Sequence, residues 1–278
     1  MSQEAMDPVD RAHLRNPADS SHRIHRHAPS PPLQELIRRY WIPVWDTPTP
    51  TTQRVLQYPV CLLVISNSYA RLVGPARGVS TKELSGRGWA FGVMLQPAAG
   101  TMLLTGQESL TDAPSVQAVV DGHLELSALP AVRELVPEIT RLMITDPHSP
   151  DGHARAIKAV ERTLSTVGPL DAEGLLINDI VEWVEGSPEV QRVGQITERF
   201  GVSERSLQRL LLRRIGLTPK WLIARRRLHE VSERLQRGDG VRLADVAADL
   251  GYTDQAHLSR DFRTVTGMTP RSFAAQFS

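Results

Sequence analysis

Apolar and polar positions keep three different rhythms along this chain of 278 residues. Met1 to Pro32 is polar and ends in APSPP, which predicts a disordered tail over residues 1–32. Leu33 to Tyr40 has the spacing of a short helix. From Trp41 to about Pro97, short apolar runs (VLQYPVCLLVIS, YARLVG, GWAFGVMLQP) alternate with clusters of Pro, Gly, Asn and Ser. That texture predicts a sheet or small barrel of short strands. Ala98 to Leu104 opens a helix and Ser109 to Pro114 is a loop. Helical spacing then recurs over Leu124 to Met143 (interrupted by Pro130 and Pro137), Gly152 to Val167, and Leu175 to Glu185. Asp146 to Gly152 and Gly168-Pro169 break this pattern, and the domain boundary is placed near the second break.

Beyond it the rhythm becomes that of short helices with clear starts and stops, written twice. GVSERSLQRLLLRRIGLTP runs from Gly201 to Pro219 and GYTDQAHLSRDFRTVTGMTP from Gly251 to Pro270. Each block has a Gly, a Ser or Thr two residues on, a helix carrying Arg, a second Gly and a Thr-Pro. Ser203 suits the cap of a helix over 204–215, because its hydroxyl can accept an orphan backbone N–H. Pro219 sits where a missing N–H costs nothing, at the first position of a helix running to about Gln236. The second unit has helices over Leu243 to Leu250 and Asp254 to Val265.

Periodicity divides the faces of the two Arg-bearing helices. Leu207, Leu210 and Leu211 face inward in the first, and Leu258, Phe262 and Val265 in the second. Arg205, Gln208 and Arg209, with Gln255, Ala256, Ser259 and Arg260, are left to read base edges, where Arg suits guanine and Gln suits adenine. Ser203, Arg213, Arg214, Lys220, Thr253, Arg263 and Arg271 lie nearer helix ends and are assigned to phosphates, which fix register without reporting sequence. Charge agrees with this division. Gly186 to Ser278 holds 16 Lys and Arg against 10 Asp and Glu, whereas the whole chain is only +1. A basic region joined to an acidic one suits a polyanion partner for the C-terminal part alone.

Residues 193 to 276 resemble the DNA-binding domain of the AraC/XylS family of bacterial transcription regulators. SLQRLLLRRIGLTPKWLIARRRLHE and LADVAADLGYTDQAHLSRDFRTVTGMTP carry the resemblance. It implies two helix-turn-helix units joined by a linker helix over about Pro219 to Gln236, entering successive major-groove segments on one face of DNA. Leu258 stands where the family usually has Phe, a tolerable exchange in a core. RYWIPVWD, QRVLQYPVCLLVIS, VGPARG, GRGWAFGVMLQPAAG and LTGQESLTD resemble a less-characterised sensor-like domain found before such regions. That resemblance implies a cupin-like β fold followed by helices, with no identified ligand.

Other constellations carry less. His22, His25 and His27 alternate with Arg and have no nearby carboxylate, and no cupin metal set occurs between Trp41 and Pro97, so no metal and no cofactor are expected. His229-Glu230 begins a zinc-protease motif that is never completed. Cys61 has no basic neighbour in its apolar run and reads as a core thiol. Trp41, Trp45, Tyr58, Trp89 and Phe91 cluster in the β region. They are candidates to line an effector pocket, with ordinary core as the plainer alternative. Arg54, Arg71, Arg77 and Arg87 offer cations to an anionic ligand, with only their abundance in favour.

The expectation is an α+β chain: a tail (1–32), a β-rich sensor or dimerisation domain closed by helices (33–167), and an all-α double helix-turn-helix domain (170–278). It would be a cytoplasmic, non-enzymatic, sequence-specific transcription regulator. Its expected partners are promoter DNA, RNA polymerase, a small-molecule effector and a second copy of the chain through the acidic stretch Leu124 to Val167. No apolar run is long enough to span a membrane. A ligand-independent DNA-binding protein whose N-terminal domain only dimerises, and an enzyme fused to a DNA-binding domain, stay open as alternatives.

Overall fold

The computed structural model describes residues 11–14, 19–105, 116–238 and 242–277. The loop expected at Ser109 to Pro114 lies outside them, as does most of LTGQESLTD. Six strands form one antiparallel sheet: β1 (His22–His27), β2 (Ile37–Val55), β3 (Leu62–Ser66), β4 (Ala70–Val73), β5 (Ser80–Leu95) and β6 (His123–Glu125). Their order is β1-β2-β5-β3-β4-β6. Ten α-helices occur among the described residues. They are α1 (Ala99–Thr105), α2 (Leu135–Thr145), α3 (Pro150–Leu164), α4 (Ala172–Gly186), α5 (Val193–Phe200), α6 (Glu204–Ile215), α7 (Pro219–Arg237), α8 (Leu243–Asp249), α9 (Gln255–Thr266) and α10 (Pro270–Ala274).

The sheet is organised by the long pairing of β2 with β5. Its register shifts between Thr47 and Thr51, where Pro48 and Pro50 can donate no ladder hydrogen bond. Alternation along the strands gives two unlike faces. Tyr40, Ile42, Leu63, Ile65, Phe91 and Val93 are buried on the face that packs against helices. Trp41 and Trp45 point to the other face, which is concave. In register, Trp41 stands opposite Gly92 and Trp45 opposite Gly88. Each indole lies on its glycine so closely that an added Cβ would be 2.3 Å from the Trp41 ring or 2.2 Å from the Trp45 ring. The glycines are therefore required by close approach of the rings.

One apolar core runs from the helix-facing side of the sheet through α2, α3 and α4. It continues without a break into Leu207, Leu211 and Ile215 of α6 and Leu222 and Ile223 of α7. A second core holds Val231, Val246, Leu258, Phe262 and Phe273, joined by Leu14 and Leu56 from the N-terminal part.

Three expectations need correction. Residues 1–32 are not all disordered: His22–His27 forms β1, with His22 opposite Trp45 and His27 opposite Tyr40. Its polar composition hid it, because ladder hydrogen bonds need no apolar side chains. His25 and His27 also meet His148 and His153 of the α2–α3 corner, at 3.1 and 3.4 Å. Leu33 to Tyr40 is not a helix. A single 3-10 turn, Pro31–Leu33, precedes β2, where Ile37 and Tyr40 join the core. Leu124 to Met143 is helical only from Leu135 onward, after β6 and a 3-10 turn over Leu126–Ala128. Pro137 falls in the first turn of α2, where backbone N–H groups lack helical partners anyway.

Gly92→Ala should destabilise the protein by about 1–3 kcal/mol through overpacking against Trp41. Urea unfolding checks this, and an unchanged midpoint would show that the indole can move aside freely.

Candidate nucleic-acid interface and the cavity behind it

Each helix-turn-helix is built from local signals. α5 ends at Gly201 and α8 runs into Gly251, whose φ angles of +64° and +71° are left-handed and suit glycine. Ser203 caps α6 by accepting from the Ser206 N–H at 3.1 Å, and Asp254 caps α9 by accepting from the His257 N–H at 2.6 Å. Asp254 is thus the cap and Gln255 the first helical residue. Thr218 caps the linker helix α7, with Pro219 first in it.

Leu207, Leu210 and Leu211 are buried under α6, and Leu258 and Phe262 under α9. Arg205, Gln208 and Arg209 are exposed, as are Gln255, Ala256 and Arg260; Ser259 is half-buried. Ser203, Lys220, Thr253, Arg263 and Arg271 are exposed at helix ends. Ser203 is also occupied as a cap. Among the described residues, no carboxylate pairs with Arg205, Arg209, Lys220, Arg260, Arg263 or Arg271.

Arg214 corrects the phosphate set. It is 4% exposed and its guanidinium is held by Asp171 and Glu173 at the start of α4. Burial pushes the Asp171 carboxyl up, but the Gly174 N–H and Arg214 more than offset this and hold it below its ordinary value. The hydrogen bond from Arg214 likewise holds Glu173 low against burial. Arg214 is thus a fastener between α4 and α6. Arg213 is exposed but also pairs with Glu173.

The linker helix supplies residues that sequence reasoning missed. Arg225 donates to the carbonyls of Ala76, Arg77 and Gly78 at 3.1, 2.7 and 3.2 Å. Burial pulls it down to about 10, so it stays charged. Arg226 donates to Val190 O at 3.0 Å and pairs with Glu230 at 2.9 Å. Arg227 donates to Gln191 O and lies over the Tyr252 ring. His229 is fully buried and stacks on Tyr58, with ring centroids 4.5 Å apart. Burial above all, then Arg225 and Arg11, hold His229 well below its ordinary value. A signal was present: Leu222, Arg225, Arg226 and His229 continue one apolar stripe at helical spacing.

Tyr58 also lines a cavity of about 320 Å³ on the concave face of the sheet. Of the five aromatic candidates, Trp41, Trp45 and Tyr58 line it. Trp89 and Phe91 do not. They project to the opposite face and are buried in the main core, as strand parity requires. Cys61 is buried and its thiol is pushed up to about 12. Among the described residues no three His, Cys, Asp or Glu side chains come together as a metal site, and no helix is long and apolar enough to cross a membrane.

Two capped helix-turn-helix units on one linker helix, each presenting an exposed row of Arg and amide side chains, define a DNA-binding protein of the transcription-regulator class. Residues 196–276 match the family model described as a helix-turn-helix domain, and residues 25–113 match a domain of unknown function (DUF6597). The chain is 31% identical over 103 residues to the probable transcription factor PqrA of Proteus vulgaris, covering 35% of this chain and 82% of that one. It is 30% identical over 101 residues to the HTH-type transcriptional activator RhaS of Pectobacterium carotovorum subsp. carotovorum, covering 36% of each. The match thus spans about a third of that relative's length. Among solved structures, ToxT from Vibrio cholerae aligns with a TM-score of 0.39 at 10% identity, over 93% of this chain and 98% of that one. The C-terminal domain of AraT from Geobacillus stearothermophilus aligns with a TM-score of 0.33 at 17% identity, over 36% and 84%. The chain belongs to the AraC family of helix-turn-helix transcription regulators.

Two predictions follow from the buried charges. Arg214→Ala should cost about 2 kcal/mol of stability, the scale of a hydrogen bond to a charged group, while leaving the salt dependence of DNA binding unchanged. Denaturation and salt titration read the two effects separately. His229 is neutral in the folded state, whereas an unfolded histidine protonates near its ordinary value of 6.5. Its contribution is therefore complete above that pH and is lost as pH falls below it, by up to about 1.4 kcal/mol per pH unit. His229→Phe, which keeps a ring against Tyr58, should flatten this part of the stability profile between pH 7 and 5. A variant profile parallel to wild type would contradict the assignment.

Proposed function

We propose that this protein is a cytoplasmic, non-enzymatic regulator that reads two adjacent major-groove segments of promoter DNA through α6 and α9, its DNA affinity set by a small molecule in the β domain. The exposed pair of Arg- and amide-bearing helices, fixed to one linker helix, carries this proposal. Arg205, Gln208, Arg209, Gln255, Ala256, Ser259 and Arg260 contact bases. Ser203, Arg213, Lys220, Thr253, Arg263 and Arg271 contact phosphates, and Arg213 leaves Glu173 to do so. The cavity, walled by the Tyr58 ring that stacks on the linker helix, favours an effector-modulated protein over one whose β domain only dimerises. A ligand that binds one arrangement of the two domains better shifts the population competent for DNA. Residues 124–167, where Ile144 of α2 is 67% exposed, are the surface assigned to a second copy. RNA polymerase is the further partner this role requires.

The test is binding of the purified protein to its own upstream DNA against random DNA across a salt series. Arg209→Ala or Arg260→Ala should cost about 1–3 kcal/mol on the preferred site and relax selectivity at one base pair. Lys220→Ala or Arg271→Ala should weaken all sequences alike and lower the salt slope by about one. Identical behaviour of all four variants would refute the division into reading and clamping residues. No selective binding by the folded protein would refute the function.

A further inference from the structure

The charge of the cavity wall narrows what it can hold. Five of its lining side chains can carry positive charge, His13, His22, Arg71, Lys82 and His123, and no carboxylate lines it. Of the four arginines that the sequence offers to an anionic ligand, Arg71 alone is on this wall. Counter-charges lie just outside. Asp19 stands by His22, and Glu125 meets Arg71 at 2.7 Å and His123 at 3.7 Å. Among the described residues no carboxylate pairs with Lys82. Its Nζ lies 4.1 Å from the centre of the Tyr69 ring, and the Arg71 guanidinium carbon lies 5.0 Å from the centre of the same ring. Two cations thus share one ring and one acid at the rim. Burial, and then Arg71, pull the Lys82 ammonium below its ordinary value. Apolar walls with a surplus of one charge concentrate the opposite ion.

Strand register shows what lies beside that charge. Trp41 of β2 stands opposite Gly92 of β5, Gly92 opposite Val64 of β3, and Val64 opposite Arg71 of β4. One row of the concave face therefore runs from an indole lying on a glycine, across a valine, to a guanidinium. Trp45, lying on Gly88, widens the flat apolar surface. Such a surface suits the stacking of a planar ring. Gly92 and Arg71 are two strands apart, about 10 Å at the usual spacing. A ring on the indole closes that gap when its acid group is carried on a short arm and the Arg71 side chain meets it. Size sets the last limit. At about 30 Å³ per water, 320 Å³ holds roughly ten water-sized groups, and so a ligand of about that many non-hydrogen atoms.

We propose that the cavity binds a planar aromatic monoanion, its ring on Trp41 and its carboxylate, on a short arm, between Arg71 and Lys82. The proposal deepens the effector-modulated function above and rests on it only for the regulatory consequence. The test is calorimetric titration of the full chain with three probes of matched size: trans-cinnamate, cinnamamide and octanoate. Cinnamate should bind about tenfold or more tightly than the amide, which keeps the ring and the shape and loses the charge. It should exceed octanoate, which keeps the charge and loses the ring, by a similar factor. Raising the salt concentration should weaken cinnamate and leave the amide unchanged. Lys82→Met should cut the preference for acid over amide about fivefold while the amide's own affinity holds, and Lys82→Arg should restore it. Trp41→Leu should weaken acid and amide alike. Circular dichroism confirms that each variant is folded. Equal binding of cinnamate and cinnamamide by the wild type, a preference for octanoate, no binding of either aromatic, or an undiminished preference in folded Lys82→Met would overturn the proposal. The same preparation is assayed on its upstream DNA without probe. Selective DNA binding with no preference for cinnamate sinks the ligand assignment alone, and cinnamate preference without selective DNA binding sinks the regulator function alone.

Discussion

Everything in this molecule hangs on an apolar seam that does not stop at the domain boundary. Phe91 and Val93 of the sheet, Ile177 and Ile180 of α4, and Leu207 and Leu211 of α6 belong to one buried cluster. Burial of that size is the main favourable term in folding. Here the same term also fixes where the first DNA-facing helix sits relative to the sheet. Polar bonds then refine the placement: the Thr101 hydroxyl donates to Arg214 O at 2.7 Å and the Gln117 amide to Leu212 O at 3.1 Å. These carbonyls lie in the last turn of α6, where Leu212 O also accepts from the Gly216 N–H at 3.1 Å and the supply of helical N–H donors runs out.

The linker helix solves a different problem. It must touch the sheet domain and both reading units, so most of its circumference is covered. A wholly apolar helix could be buried that way but would set no register. Arg225 reaches carbonyls of residues 76–78, Arg226 and Arg227 reach those of Val190 and Gln191, and forked guanidinium donors tolerate little displacement. Removing such a charge from water is expensive, and each contact partly offsets that cost. The result is orientation more than stability.

How much of this was legible depends on whether the information is local. The caps at Ser203 and Thr218, the Gly turns and the buried Leu rows of α6 are decided within a few residues, and the pattern displayed them. Trp41, Trp45, Trp89 and Phe91 were grouped as one candidate set, because which face of each strand meets the helices is decided only by the assembled sheet. Arg214 misled for a similar reason: its position in an Arg pair at a helix end suits a phosphate contact, and its true partners lie some forty residues earlier in the chain.

The two reading units rest on different cores, and this gives them unequal cooperativity. The first shares the large cluster of the sheet, so its backbone amides can open to exchange only when much of the N-terminal part opens with them. The second is held by a smaller cluster of its own, to which the N-terminal part lends Leu14 and Leu56. Local opening follows such boundaries. The molecule is therefore a graded one. One hand is fixed to the body, and the other can come loose without the body unfolding.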